Sequence, residues 1–260
     1  MNAEAEDLFR LLPLGTGSIL MPGGRSAASY HVRRGDRALQ IDLGPGSLLR
    51  MRQAGLEAWR IREVLLSHFH LDHHLDLWAL LFLRRSPELR SGLLPLTVYG
   101  PPGLSELRRR METVYGDWID APLTEWKEVS PGETEAGGFR IELRRANHPQ
   151  PAYCLRLESG GKVLAYSGDG GYGPSLVEVC RGADFAVLEC SFPDASAVEG
   201  HLHPEALLRI LAEAGPKRIG LSHLYPGMVR ELEERGLEGL FPERASRFVL
   251  LEDLVEVRLE

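Results

Sequence analysis

Cysteine is scarce in this chain: Cys154, Cys180 and Cys190 are odd in number and form no CxxC pair. That excludes a disulfide framework and a cysteine zinc knuckle. Lysine is nearly absent, confined to positions 127, 162 and 217, so arginine carries most of the positive charge. With 30 basic against 37 acidic residues the net charge is −7, which argues against electrostatic capture of long nucleic acid. Two short basic clusters, Arg108-Arg109-Arg110 and Arg144-Arg145, could hold a phosphate, but solvated faces account for them more simply. No apolar run approaches the ~18 residues that span a bilayer, so no membrane partner is expected. The N-terminal MNAEAEDLFRLLPLG starts acidic and lacks the basic and long apolar regions of a signal peptide, which makes the cytoplasm the expected location. There is no repeat of solenoid period, no low-complexity tract, no GxxxxGK[ST] loop and no GxSxG elbow.

What is present alternates between strand and helix. ASYHVRR (28–34) and ALQIDL (38–43) read as a hairpin around Gly35-Asp36. A helix is expected over 46–54, a short strand over 64–67, a helix over 74–85, a strand over 96–99 and a helix over 102–115. Strands follow at 139–145, 152–158, 162–167, 183–190 and 218–222, with helices near 175–181 and over 204–214, the latter opened by Pro204 and stopped by Gly215-Pro216. The closing VLLEDLVEVRL has strand character. Both kinds of element in both halves, without a strict βαβ rhythm, predict two sheets covered by helices outside. No linker is visible, so one domain over 1–260 is expected.

The informative stretch is SHFHLDHHLD (67–76), four histidines and two aspartates in ten positions directly after Val64-Leu65-Leu66. Residues two apart, such as His68 and His70, can point to one side, while Asp72 and His73 turn toward a second point. One compact motif can thus begin two adjacent metal sites. Massing these groups without a metal would cost several kcal/mol in desolvation and repulsion. Further candidates fall just past apolar strands: Asp42 in QIDLGPG, His148 in ANHPQ, Asp169 in YSGDG and His223 in LSHLY. Strand ends are where distant parts of an α/β chain converge. Imidazole and carboxylate without thiolate suit Zn²⁺, with Mn²⁺ and Fe as alternatives.

HxHxDH followed by NHP, SGD and LSH in that order resembles the metallo-β-lactamase superfamily. LGTGSILMPGGRSAASY (14–30), IDLGPG (41–46), PLTVYGPPG (95–103), and LEC with GHLHPE (200–205) are similar to its ribonuclease Z branch over nearly the whole chain. The resemblance implies an αββα four-layer sandwich and two divalent ions. One would be held by His68, His70 and His148, the other by Asp72, His73 and His223, with Asp169 bridging and Asp42 orienting a ligand histidine. It implies hydrolysis of a phosphodiester by a metal-bridging hydroxide that Asp72 orients, with His201 protonating the leaving oxygen. Glyoxalase II-like thioesterases share the bridging carboxylate, so a thioesterase or lactonase is the alternative, and a metal-containing sensor without turnover is a third reading.

Ribonuclease Z enzymes carry a long arm between the third histidine and the bridging aspartate. Here two strands and the turn at Gly160-Gly161 fill that interval, so a small or cyclic phosphodiester is expected rather than transfer RNA. Relatives are often dimers, which makes a homodimer an expectation that no residue pattern here decides. Substrate and native metal are not fixed by the sequence.

Three histidines and one glycine motif have blander readings. His31 is expected at the surface or satisfied in the core, and His74 is expected to point away from His73. His203 could cap the helix beginning at Pro204 or add a second donor. Gly168, Gly170 and Gly173 spell GxGxxG, but Pro174 after the last glycine and Asp169 inside the turn fit a pyrophosphate cradle poorly.

Overall fold

Gly35 and Asp36 turn the chain between β2 (Ser29–Arg34) and β3 (Arg37–Ile41), which pair antiparallel with Tyr30 opposite Ile41. The computed structural model describes residues 8–259. The acidic residues 1–7, used above against a signal peptide, and Glu260 lie outside the described residues. One sheet orders β14 (Val257–Leu259), β1 (Phe9–Gly15), β2, β3, β4 (Glu63–Leu65), β5 (Leu96–Gly100) and β6 (Thr124–Glu128). The other orders β13 (Phe248–Leu250), β12 (Ile219–Ser222), β11 (Phe185–Glu189), β10 (Lys162–Tyr166), β9 (Tyr153–Ser159), β8 (Phe139–Arg145) and β7 (Gly132–Ala136).

The alternation of side chains along the strands builds the layers. Leu39 and Ile41 meet Phe139, Ile141, Leu155 and Phe185 in a core between the sheets. The outer face of the first sheet is covered by α1 (Ser47–Gln53), α2 (Leu71–Arg84) and α3 (Leu104–Tyr115), with Leu77 and Leu81 packed on Val64 and Val98. The second is covered by α4 (Pro174–Cys180), α5 (Pro204–Ala214) and α6 (Pro226–Leu240), with Leu207 and Ile210 against Leu188 and Leu221. The result is the four-layer αββα sandwich. In each sheet the last four strands that follow one another in the chain, β3 to β6 and β10 to β13, run parallel. Parallel strands bring their carboxyl ends to one edge, and the candidate ligands lie just beyond those ends or, for His148, beyond β8, which two antiparallel pairings turn the same way as β10.

Several elements differ from the sequence reading. The helix expected from His74 begins at Leu71, so Asp72 and His73 sit on its first turn rather than in an extended segment. The strand-like C-terminus is two short strands that join different sheets. Unanticipated were β1, where Pro13 sits at a register shift, and the edge strands β6 and β7, whose TEWKE and GETEA carry exposed charges. Also missed was α6, which is broken at Gly236 (φ 64°). Among the described residues no helix is long and apolar enough to cross a membrane.

Arg84 locks three loops onto the first sheet's outer layer. Fully buried at the end of α2, it donates to the carbonyls of Trp59 (2.7 Å), Leu94 (2.7 Å) and Pro122 (3.3 Å). Replacing Arg84→Ala strands those acceptors and should lower the unfolding free energy by about 3 kcal/mol in a urea titration. A loss below about 1 kcal/mol would show that water restores the lost bonds.

His31, opposite Gln40 in the β2–β3 pair, is half-buried, and its Nδ1 is closed off from solvent without a hydrogen-bond partner. Burial pushes its pKa down from 6.5 to about 4, against a smaller upward pull from Gln40. The folded ring stays neutral while the unfolded chain takes up a proton, so His31 adds stability above about pH 6.5 that is lost as pH falls toward 4. His31→Gln should therefore flatten the stability curve between those pH values by roughly 2 kcal/mol. Parallel curves for the two proteins would refute this.

Candidate metal centre

Each candidate ligand sits where a regular element stops or starts. His68 and His70 occupy the loop between β4 and α2, Asp72 and His73 the first turn of α2, and His148, Asp169 and His223 the ends of β8, β10 and β12. Asp42 (φ 55°) and His223 (φ 52°) hold the left-handed backbone that non-glycine residues seldom adopt. Such conformations persist where the surrounding contacts over-determine the chain.

The fold gathers all seven. One ligand atom from each of His68, His70, His148 and Asp169 lies within 4.8 Å of the others, and the same holds for Asp72, His73 and His223. Asp169 stands between the two groups. Its Oδ2 is 3.7 Å from His68 Nε2, while Oδ1 is 3.1 Å from His73 Nε2 and 3.4 Å from His223 Nε2. Asp72 Oδ2 lies 3.3 Å from His223 Nε2.

Behind this row, Asp42 aims the imidazole of His73. Its fully buried carboxylate accepts from Ser67 N (2.7 Å), Ser67 Oγ (2.8 Å), Tyr166 Oη (2.7 Å) and His73 Nδ1 (2.8 Å). A proton on Nδ1 leaves the Nε2 lone pair facing Asp169, which is how a histidine is readied for a metal. His223 is held in the same sense, its Nδ1 lying 3.1 Å from Ser191 Oγ, which in turn donates to Glu189.

Five atoms test whether this donor set fits a cation. His68 Nε2, His73 Nε2, both ring nitrogens of His148 and Asp169 Oδ1 are buried with no hydrogen-bond partner. Leaving each unsatisfied costs about 1–3 kcal/mol, and a divalent ion would satisfy one nitrogen from each histidine together with the carboxylate oxygen. The charges agree. Burial would raise the Asp169 carboxyl, but the imidazoles of His223, His73 and His68 outweigh it and hold it well below the usual range. Burial would lower His73, yet Asp169 and Asp42 hold it well above. The pocket favours positive charge, and nitrogen and oxygen donors without thiolate suit a divalent metal.

His201 lies beside this row, with a ligand atom within 4.8 Å of those of Asp169 and His223. Its Nδ1 is 2.8 Å from Glu189 Oε2. Burial lowers its pKa, but the hydrogen bond and charge of Glu189 prevail and raise it. Glu189 is the functional residue the sequence reading missed. It is buried, and also takes Gly170 N at 2.7 Å. A carboxylate ending the apolar strand FAVLE was the signal available. Phe192 and Tyr225 stack at 4.6 Å and line the same side, Phe192 edge-on to His201.

The remaining candidates fall outside the centre. His74 points away, its Nε2 3.1 Å from Phe69 O and its Nδ1 accepting from Trp78 Nε1. Asp194 caps α5 through Glu205 N (2.9 Å) and also holds His203 Nδ1 (2.6 Å), so His203 is not the cap. In the glycine motif, Gly170 N is bound to Glu189, and a Cβ at Gly168 would lie 2.8 Å from Tyr153 O, so close packing rather than a phosphate cradle explains the glycines.

Residues 38–224 match the family model for the β-lactamase superfamily domain. An uncharacterised Mycobacterium tuberculosis protein is 34% identical over 235 residues, 85% of this chain and 83% of its own. Ribonuclease Z of Mycobacterium marinum is 27% identical over 276 residues, 97% of this chain and 99% of its own. The crystal structure of the metallo-β-lactamase fold protein YhfI from Bacillus subtilis superposes with a TM-score of 0.80 at 23% identity, covering 97% of this chain and 99% of that one.

Loading with Zn²⁺ should raise the melting temperature by about 5 °C or more, because the ion binds only the folded state. In Asp169→Ala most of that rise should vanish, and metal retained after desalting should fall. Undiminished metal content in the variant would remove Asp169 from the ligand set.

Proposed function

The chain belongs to the metallo-β-lactamase superfamily, on its ribonuclease Z-like side, and from that premise we propose that it hydrolyses a small phosphodiester using two divalent ions, Zn²⁺ first among them. The observation that carries this reading is Asp169, which turns one oxygen toward each ligand group, with His201 and Glu189 alongside. His68, His70 and His148 would hold one ion and Asp72, His73 and His223 the other, with Asp169 shared. When bound, the ions polarise water and neutralise charge on the phosphoryl oxygens.

The chain's own residues supply the proton transfers. Water oxygen attacks phosphorus as the bond to the leaving oxygen breaks. Asp72, buried beside His223 at 3.3 Å, takes the proton from the water. His201 gives its Nε2 proton to the leaving oxygen, while Glu189 at Nδ1 fixes the ring and stabilises its charged form. Buried Tyr166 and Ser67 keep Asp42 in place, so His73 does not swing as charge moves.

Two features favour a small substrate. Between His148 and Asp169 lie only β9, β10 and their turn, leaving no room in the chain for an RNA-gripping arm. The net charge of −7 gives no long-range pull on a polyanion. Location in the cytoplasm fits the reduced state of three buried, unpaired cysteines.

With Zn²⁺ or Mn²⁺ the protein should hydrolyse bis(p-nitrophenyl) phosphate. His201→Ala should lower kcat about 10²-fold or more for a diester with an alkoxide leaving group. The loss should be much smaller for p-nitrophenolate, which departs without help from an acid. Turnover of thioesters or lactones but of no diester would replace this reading, and tight binding of diesters without turnover would make the protein a sensor.

A further inference from the structure

A cavity of about 270 Å³ opens against His148, lined by Pro102, Arg145, Gln150, Pro151 and Tyr153 among others and by neither Glu189 nor His201. Its lining holds no carboxylate, in a chain that carries seven more acidic than basic residues. Arg145 is exposed in it and makes no side-chain hydrogen bond or ion pair among the described residues. The adjacent Arg144 is instead neutralised by Glu142 at 2.6 Å. Tyr153 does not compete for an incoming anion, because its hydroxyl donates to Val129 O at 2.9 Å. Pro149 and Pro151 on either side of Gln150 restrict the wall's backbone.

We infer that this cavity is a substrate subsite for a second anionic group, a phosphate monoester carried on the part of the diester that stays with the scissile phosphorus. The inference rests on the phosphodiesterase reading and adds a substrate class to it. His201, the leaving-group acid, lies 5.8 Å from His148 between ring centroids and is not part of the cavity's lining. A group retained with phosphorus therefore extends toward Arg145. A planar guanidinium with free N–H groups takes a phosphate in two parallel hydrogen bonds, and one free of a carboxylate partner gives up none to do so. Selection of doubly anionic substrates would come from this one contact rather than from an overall basic surface.

The test compares thymidine 5′-(p-nitrophenyl phosphate) with the same compound bearing a 3′-phosphate, using the Zn²⁺-loaded protein. The 3′-phosphorylated compound should have a kcat/KM at least about tenfold higher, mostly through KM. Arg145→Gln should bring the ratio of the two substrates near one, and Arg145→Lys should keep part of it. Taking the ratio within each protein removes differences in folding or metal content. Equal kcat/KM for the pair in the unmodified protein, or an unchanged ratio in Arg145→Gln, overturns the inference. Calorimetric binding of thymidine 3′,5′-bisphosphate against thymidine 5′-monophosphate separates it from the catalytic reading. A tenfold preference that Arg145→Gln abolishes sustains the subsite even if no diester is turned over. Equal binding of the two overturns it.

Discussion

Buried nitrogen and oxygen atoms that crowd together without hydrogen-bond partners govern this molecule. His68, His73, His148 and Asp169 direct unsatisfied nitrogen and oxygen atoms into one small volume at the rim between the sheets. A folded chain tolerates that only if something positive completes the set, because desolvated polar atoms without partners are costly. The rest of the rim follows from that need. Asp42 is buried with four donors so that one histidine ring cannot turn over, and Ser191 and Glu189 restrain another. Both Asp42 and His223 accept a left-handed backbone to stand where they do.

The architecture explains why such a set can be assembled at all. Two sheets, each with four parallel strands in succession, deliver five loop ends to a common edge. The apolar core between the sheets and the helical layers outside hold those ends against the repulsion of like groups. Rigidity there has a chemical use: donors held in advance do not have to be reorganised when charge develops on a substrate. The helix carrying Asp72 and His73 adds the positive end of its dipole beside Asp72.

Charge is distributed by local design rather than by net sign. The protein is acidic overall, while its centre collects carboxylates and imidazoles that call for cations, and the cavity beside His148 presents an arginine with no acidic neighbour in its lining.

The sequence by itself determined which side chains are candidates for a metal centre, because HxHxDH packs imidazoles and a carboxylate too densely for a solvated loop, and because Asp42, His148, Asp169 and His223 each follow an apolar strand. It also determined most elements, since buried strands and amphipathic helices print their period in hydrophobic residues. It did not show β6 and β7, edge strands with charged side chains, nor α6, whose glycines and acidic run blur its period. Only the tertiary structure decided that Asp169 faces both groups, that Glu189 stands behind His201, and that Arg145 opens into a cavity beside His148. The first joins residues far apart in the chain and the other two depend on the paths of loops, and local pattern carries no information about which strand ends will meet.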